Sequence, residues 1–352
     1  MDRTHLSLVA IALFAPAIRA QATPAPLLGT LTDLGAKRVA EAERGAAVAI
    51  TLDAPDKTEI AMLGVVKIPV RRAFYLDRVQ NLTGFLASET RSAAGFFAHP
   101  AQPGDVSSLA LEQSDAKSLE KCKPFSCDVK LPAEMMAKLR SELAKSHDPA
   151  PKADSIMREW VVSYVNAYRA DSSEELVVYD DTKRSVRSSE AFRELLSEPM
   201  PAGIDSQPFS QMLALPRSAR PPEVASRISW EMDRLSGLKP TIEVVERSIY
   251  SPSTHPNQSF LATKLLYASH YFESQIDYIT VADAEPSPGD SEIYLVIVRR
   301  QKFDDLPSGG LFNIRGKAVK RLRDGLRATL ANTRTEMMKA FAESVKANGD
   351  EP

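Results

Sequence analysis

The sequence predicts an α+β fold in which an antiparallel sheet wraps a long C-terminal helix, with a large, mainly helical insertion ahead of them. Three observations predict it. Between residues 241 and 301 four β-rich runs follow one another, TIEVVERSIY, FLATKLLYASHYFE, QIDYITVAD and SEIYLVIVRRQ, and Pro252, Pro256, Pro286, Pro288 and Gly289 mark the turns between them. From about Ile314 to Lys346, Val319, Leu322, Leu326, Leu330, Thr333, Met337, Phe341 and Val345 recur every three or four residues, a helical stripe long enough to need a continuous apolar floor. Between residues 113 and 238, helix signals dominate instead.

At the N-terminus, MDRTHL is followed by the apolar run LSLVAIALFAPAI and the small-residue segment RAQA, the pattern of a secretory signal peptide over residues 1–22 cut after Ala20 or Ala22. The run is too short to anchor in a bilayer, which takes roughly 20 residues. It also contains Pro16, and no cysteine follows that would carry a lipid. The expected location is a bacterial periplasm or the medium outside the cell.

Residues 23–112 read as an N-terminal helix, a hairpin and a second helix. LTDLGAKRVAEAERG has helical spacing and stops at Gly45; AAVAITLD and KTEIAMLGVVKIPV flank the turn Ala54, Pro55, Asp56, Lys57; RRAFYLDRVQNLTGFLA carries Phe74, Val79, Leu82 and Leu86 on one stripe. VSSLALE reads as a short strand, with Ser114 or Asp115 capping a helix that runs to the cysteine loop.

Residues 113–238 read as an insertion or subdomain. LPAEMMAKLRSELAKS has Pro132 at a helix start, SHDPAPKADS reads as a linker, and SIMREWVVSYVNAYRA sets Ile156, Trp160, Tyr164 and Tyr168 four apart. That aromatic stripe is core composition rather than a cofactor box. ELVVYDD is a brief strand, SSEAFRELLSE a capped helix, and the proline-rich residues 199–222 an irregular crossing or a lid. Residues 239–346 hold the meander and its helix, and 347–352 a disordered tail.

At 43% hydrophobic residues over 352 positions the chain can bury a large core. Loss of residues 1–22 takes the formal charge from −2 to −3, which gives no bias toward nucleic acid. The basic side chains Arg315, Lys317, Lys320, Arg321, Arg323 and Arg327 cluster on the last helix; they read as a solvated face or as a patch for an anionic membrane surface or acidic partner. In KCKPFSC, residues 121–127, Cys122 and Cys127 are the only cysteines. Exported thiols are usually paired, and a zinc site would need two more ligands that the neighbourhood lacks, so a structural disulfide is expected, with no metal and no cofactor.

Candidates for chemistry are few. If FLATKLLYASHYFE is one strand, alternation puts Leu261, Thr263, Leu265, Tyr267, Ser269 and Tyr271 on one face, apolar bodies with hydroxyl tips. Such a face suits a ligand pocket, or a core whose hydroxyls bond to backbone. His270 falls on the opposite face, as base, ligand or scaffolding. Asp180–Asp181 and Asp304–Asp305 lack the spaced ligands of a calcium loop and read as turn solvation. His99, His147 and His255 are too scattered for zinc, and no G-x-S-x-G, H-E-x-x-H or P-loop occurs.

The order of an early strand pair with helices, a late meander and a long terminal helix is similar to the START-like helix-grip superfamily over residues 46–112 and 240–346. DLPSGGLFNIRGKAVKRLRDGLRATL looks like that superfamily's proline-containing lead into its last helix. TKLLYASHYFES and CKPFSCDVKLP resemble stretches of exported bacterial proteins of unknown function. The resemblance implies a sheet gripping the helix around a hydrophobic ligand. The expectation is therefore an exported, non-catalytic binder of an apolar or amphipathic small molecule, a lipid being one case, with Thr263, Tyr267, Ser269, Tyr271 and His270 at the ligand. Two alternatives stand beside it: a periplasmic hydrolase using His270 and a carboxylate in an open cleft, and an envelope scaffold that holds a partner.

Overall fold

The computed structural model describes residues 27–80, 91–170, 176–215, 217–233, 239–284, 292–305 and 314–347. The signal-peptide segment, the far half of the second helix and the lead into the last helix lie outside the described residues.

The helices are α1 (Leu27–Thr30), α2 (Gly35–Glu43), α3 (Arg72–Gln80), α4 (Gln113–Leu119), α5 (Ala133–Leu143), α6 (Pro149–Ala170), α7 (Ser188–Ser197), α8 (Gln207–Met212) and α9 (Ile314–Ala347). The strands are β1 (Val48–Leu52), β2 (Glu59–Ile68), β3 (Arg91–Phe96), β4 (Val178–Tyr179), β5 (Val186–Arg187), β6 (Ala225–Asp233), β7 (Thr241–Tyr250), β8 (Gln258–Ala268), β9 (Phe272–Asp283) and β10 (Ile293–Phe303). Apart from the small β4–β5 ribbon they form one sheet, in the order β1-β2-β10-β9-β8-β7-β6-β3, with every neighbouring pair antiparallel. The predicted α+β architecture is the observed one.

The early hairpin joins the late meander edge to edge, β2 pairing β10 from Glu59 with Lys302 to Ile68 with Ile293. These strands are apolar on both faces because both are covered. On the inner face, Ile60, Met62, Val66, Leu261, Leu265, Ile279, Leu295 and Ile297 pack with Tyr75 of α3 and with Leu326, Leu330 and Met337 of α9. On the outer face, Leu63, Val65, Trp230, Val244, Phe260, Leu266 and Tyr278 pack with the helical layer through Met136, Ile156, Val161, Phe192 and Phe209. α9 lies against β1 and β2. Its contact is close at Gly64, where an added Cβ would sit 2.7 Å from Leu330 Cδ1 and 3.0 Å from Leu326 Cδ2.

Several local expectations are corrected. The run FLATKLLYASHYFE is two strands: β8 ends at Ala268, Ser269 to Tyr271 turn the chain, and β9 starts at Phe272. The turn lacks glycine and proline; Tyr271 itself takes φ 64°, and the Phe272 amide donates to the His270 carbonyl at 2.7 Å. An L-residue there is uncommon, so no sequence signal marks it. VSSLALE is not a strand; a 3-10 turn, Pro103–Val106, precedes irregular chain. β6 comes from within the stretch read as helical, its Ile228, Trp230 and Met232 alternating as a half-buried strand requires. α6 begins at Pro149, inside the expected linker, and α8 interrupts the proline-rich crossing.

Candidate ligand-binding site

On the inner face, the apolar floor gives way to charge toward β6 and β7. Strand parity with Val245, Ile279 and Ile297 aims Glu243, Arg247, Asp277 and Arg299 toward the same side as α3 and α9. Arg299 grips Asp277 with two hydrogen bonds, Nε to Oδ1 at 2.7 Å and Nη2 to Oδ2 at 2.6 Å. Arg247 donates to Ser229 and Glu231 of β6. Among the described residues no hydrogen bond or ion pair reaches the carboxyl of Glu243. Burial, then the neighbouring carboxylates Asp233 and Glu231, push its pKa well above the ordinary carboxylate value against the pull of Arg299, which favours the neutral form.

Among the described residues, three hydroxyls in the same layer find no hydrogen-bond partner: Thr263 Oγ1 on β8, Tyr75 Oη on α3 and Thr333 Oγ1 on α9. Thr333 continues the buried stripe of Leu326, Leu330 and Met337. Burying a hydroxyl without a partner costs about 1–3 kcal/mol. A cavity of about 100 Å³ opens at the far end of this face, where Val79 and Gln80 of α3 meet Phe96, Ala225, Arg247 and Ile249.

The five residues expected to share a pocket are dispersed. The pairing of β7 with β8 slips between Val244–Tyr267 and Val245–Leu265, a bulge that passes over Leu266. Thr263 therefore faces inward, while Tyr267 points into the outer layer, edge-on to Trp160 with ring centroids 4.8 Å apart. At the β8–β9 turn, Ser269 Oγ accepts from the Ile242 amide at 2.9 Å and Tyr271 Oη accepts from the Lys239 amide at 2.7 Å. His270 Nε2 lies 2.8 Å from Asp115 Oδ2, and Lys239 Nζ lies 2.9 Å from Asp115 Oδ1. Both His270 and Asp115 are buried, at 4% and 2% exposure. Asp115 was expected only as a helix cap; nothing in its local sequence points to a partner so far along the chain.

The two acidic pairs also meet. Asp304 and Asp181 flank the buried Lys130, the first in contact and the second 3.9 Å away, and the ammonium sits 4.3 Å from the centre of the Tyr179 ring. Burial pushes Asp181 up to about 6 despite Lys130. Asp180 accepts from the Ala133 amide at the start of α5 at 2.9 Å and from the Ser185 hydroxyl. The expected disulfide, Cys122–Cys127, is formed with Cα atoms 4.6 Å apart, and its loop is tied to the same region by Phe125 N to Asp180 O at 2.7 Å.

Of the basic patch, Lys317, Lys320, Arg321 and Arg327 are exposed. Arg315 donates to the Lys57 and Glu59 carbonyls and Arg323 pairs with Asp324. Among the described residues no group of three or more His, Cys, Asp or Glu is placed to hold a metal, and no helix is long and apolar enough to cross a membrane.

No protein-family model matches the sequence, and neither does any curated protein. A START superfamily protein from Mycobacterium smegmatis is similar at 14% identity over 42% of this chain and 91% of its own, with a TM-score of 0.19. So loose a superposition adds nothing to the element order itself. The class is defined by that order: an α+β protein whose antiparallel sheet packs against a long C-terminal helix.

Proposed function

We propose that this is an exported, non-catalytic protein that binds an amphipathic small molecule, a lipid being one case, on the inner face of the sheet beside α3 and α9. The observation that carries this reading is the placing, in one apolar layer, of three buried hydroxyls and the buried carboxyl of Glu243, none of which finds a hydrogen-bond partner among the described residues. A mostly apolar enclosure with a few convergent polar groups is the usual make-up of a small-molecule site. α9 is seated closely on β2 at Gly64, so the seat lies toward β6, β7 and β8 and opens by the cavity at Arg247 and Ile249. Thr263 is the one sequence-predicted residue retained at the ligand. Export rests on the leader over residues 1–22 and is supported by the disulfide.

The hydrolase alternative draws on the His270–Asp115 pair, but that pair is closed off from solvent and its third member, Lys239, is spent on the same carboxylate. Native mass spectrometry of protein purified from cells, without added ligand, tests the binding reading: a co-purifying amphiphile of defined mass is expected. A bare protein that also fails to take up lipid would leave the scaffold alternative in its place.

A further inference from the structure

The first half of α9 carries charge that its own helix opposes. Residues 314–327 hold six cations, Arg315, Lys317, Lys320, Arg321, Arg323 and Arg327, against the single carboxylate of Asp324, a formal +5 in a chain whose total is −2. Two of the six are engaged, Arg315 with the carbonyls of Lys57 and Glu59 and Arg323 with Asp324. Lys317, Lys320, Arg321 and Arg327 are exposed and make no hydrogen bond or ion pair among the described residues. Lys317 has Lys320 and Arg321 three and four positions on, and like charges at those spacings weaken a helix. The first turn holds Arg315 and Lys317 and no acid, so the positive end of the helix dipole adds to the repulsion. A face built only for solvation alternates its signs, as the second half of α9 does with Glu336, Lys339, Glu343 and Lys346 at spacings of three or four. An external field of negative charge would offset the repulsion in the first half.

Lys317, Lys320 and Arg321 stand opposite the buried stripe of Leu326, Leu330 and Met337, on the side of the rod turned away from the sheet. Ile314, one turn before Lys317, is 47% exposed. Cations in a row beside an exposed aliphatic side chain match a plane of anionic head groups above hydrocarbon, where charge is met without a shaped partner. We propose that the first half of α9 docks the protein on an anionic lipid surface. The remainder of the chain carries a formal −7 and is repelled as a whole by the same surface, so docking has one orientation. It does not depend on a ligand in the inner-face seat.

Vesicle flotation of the chain purified from cells tests it, with phosphatidylglycerol mixed into phosphatidylcholine against phosphatidylcholine alone. Stronger binding to the first is expected, falling steeply between about 0.05 and about 0.5 M salt as the Debye length shrinks. Each cation near such a surface contributes about fivefold in partition, so Lys317→Gln with Lys320→Gln and Arg321→Gln should weaken binding about a hundredfold. All three side chains are exposed, and an unfolding midpoint no lower than the parent's shows that the variant keeps the fold. Lys121→Gln with Lys138→Gln and Lys183→Gln removes the same charge from exposed positions elsewhere and should leave binding within about threefold. No binding to the anionic vesicles at low salt would overturn the proposal in favour of an acidic protein partner. Binding no stronger than to phosphatidylcholine alone, or equal loss in the two triple variants, would overturn it as well.

Discussion

His270 and Asp115 are 155 positions apart in sequence and 2.8 Å apart in the fold. The pair fastens the β8–β9 turn to α4, and Lys239 at the start of β7 closes the other carboxylate oxygen. Burial alone would raise Asp115, but the hydrogen bonds from His270 and Lys239 outweigh it and hold its pKa below the ordinary value. Its ionised form is therefore favoured in the folded state. That contribution is complete above the unfolded-state pKa and is lost as pH falls through the depressed folded value. Asp115→Asn is expected to flatten the acid limb of a pH–stability curve, and His270→Ala, by leaving one buried carboxylate oxygen without its partner while Lys239 holds the other, to cost about 2 kcal/mol in urea unfolding at pH 7. A His270→Ala protein as stable as the parent would show the pair to be incidental.

Asp181 has the opposite sign. Its folded pKa lies at about 6 against 3.8 for the free side chain, because burial outweighs the attraction of Lys130. Stability is greatest where the group is protonated in both states and falls as pH rises from about 4 to beyond 6, by about 3 kcal/mol at most. Asp181→Asn should remove that fall and raise the unfolding free energy at pH 8. Unchanged midpoints for parent and variant at pH 4 and pH 8 would refute the assignment.

Gly64 sets how near α9 comes to the sheet. With Leu330 Cδ1 at 2.7 Å from the added carbon and Leu330 fully buried, Gly64→Ala is expected to cost about 1 kcal/mol and Gly64→Leu about 3. Leu330→Ala alone should cost about 3 kcal/mol through the cavity it leaves, and the double variant Gly64→Leu with Leu330→Ala should recover part of both losses. Strict additivity in that cycle would mean that α9 does not press on β2 there.

Thr333 and Thr263 bury hydroxyls that bond to nothing among the described residues. In ligand-free protein, Thr333→Val and Thr263→Val should each raise stability by about 1 kcal/mol, since an isosteric methyl replaces an unsatisfied donor. In protein carrying its co-purified molecule the same changes should lower retention. Loss of stability in the ligand-free state would locate a partner for these hydroxyls and remove their claim on a ligand.

The terminal helix was legible because a repeat of three or four apolar positions sustained from Val319 to Phe341 has one physical solution, a rod on an apolar floor; it was predicted from Ile314 to Lys346 and observed from Ile314 to Ala347. The hairpin β1–β2 was legible from two β-rich runs on either side of the turn residues Ala54 to Lys57. The Ser269–Tyr271 turn was not, because its left-handed residue is a tyrosine held by its neighbours rather than a glycine. Once the Leu266 bulge is missed, the face assignments of Tyr267 and Ala268 invert, which is why Thr263 and Tyr267 were placed together and lie on opposite sides of the sheet. Local pattern, in short, determined the long helix, the early hairpin and the paired cysteines. Only the tertiary structure decided which charges meet, since Asp115 with His270, Lys130 with Asp304 and Arg169 with Arg217 come from distant segments, and a side chain's partner across the fold leaves no trace in the periodicity of its own strand or helix.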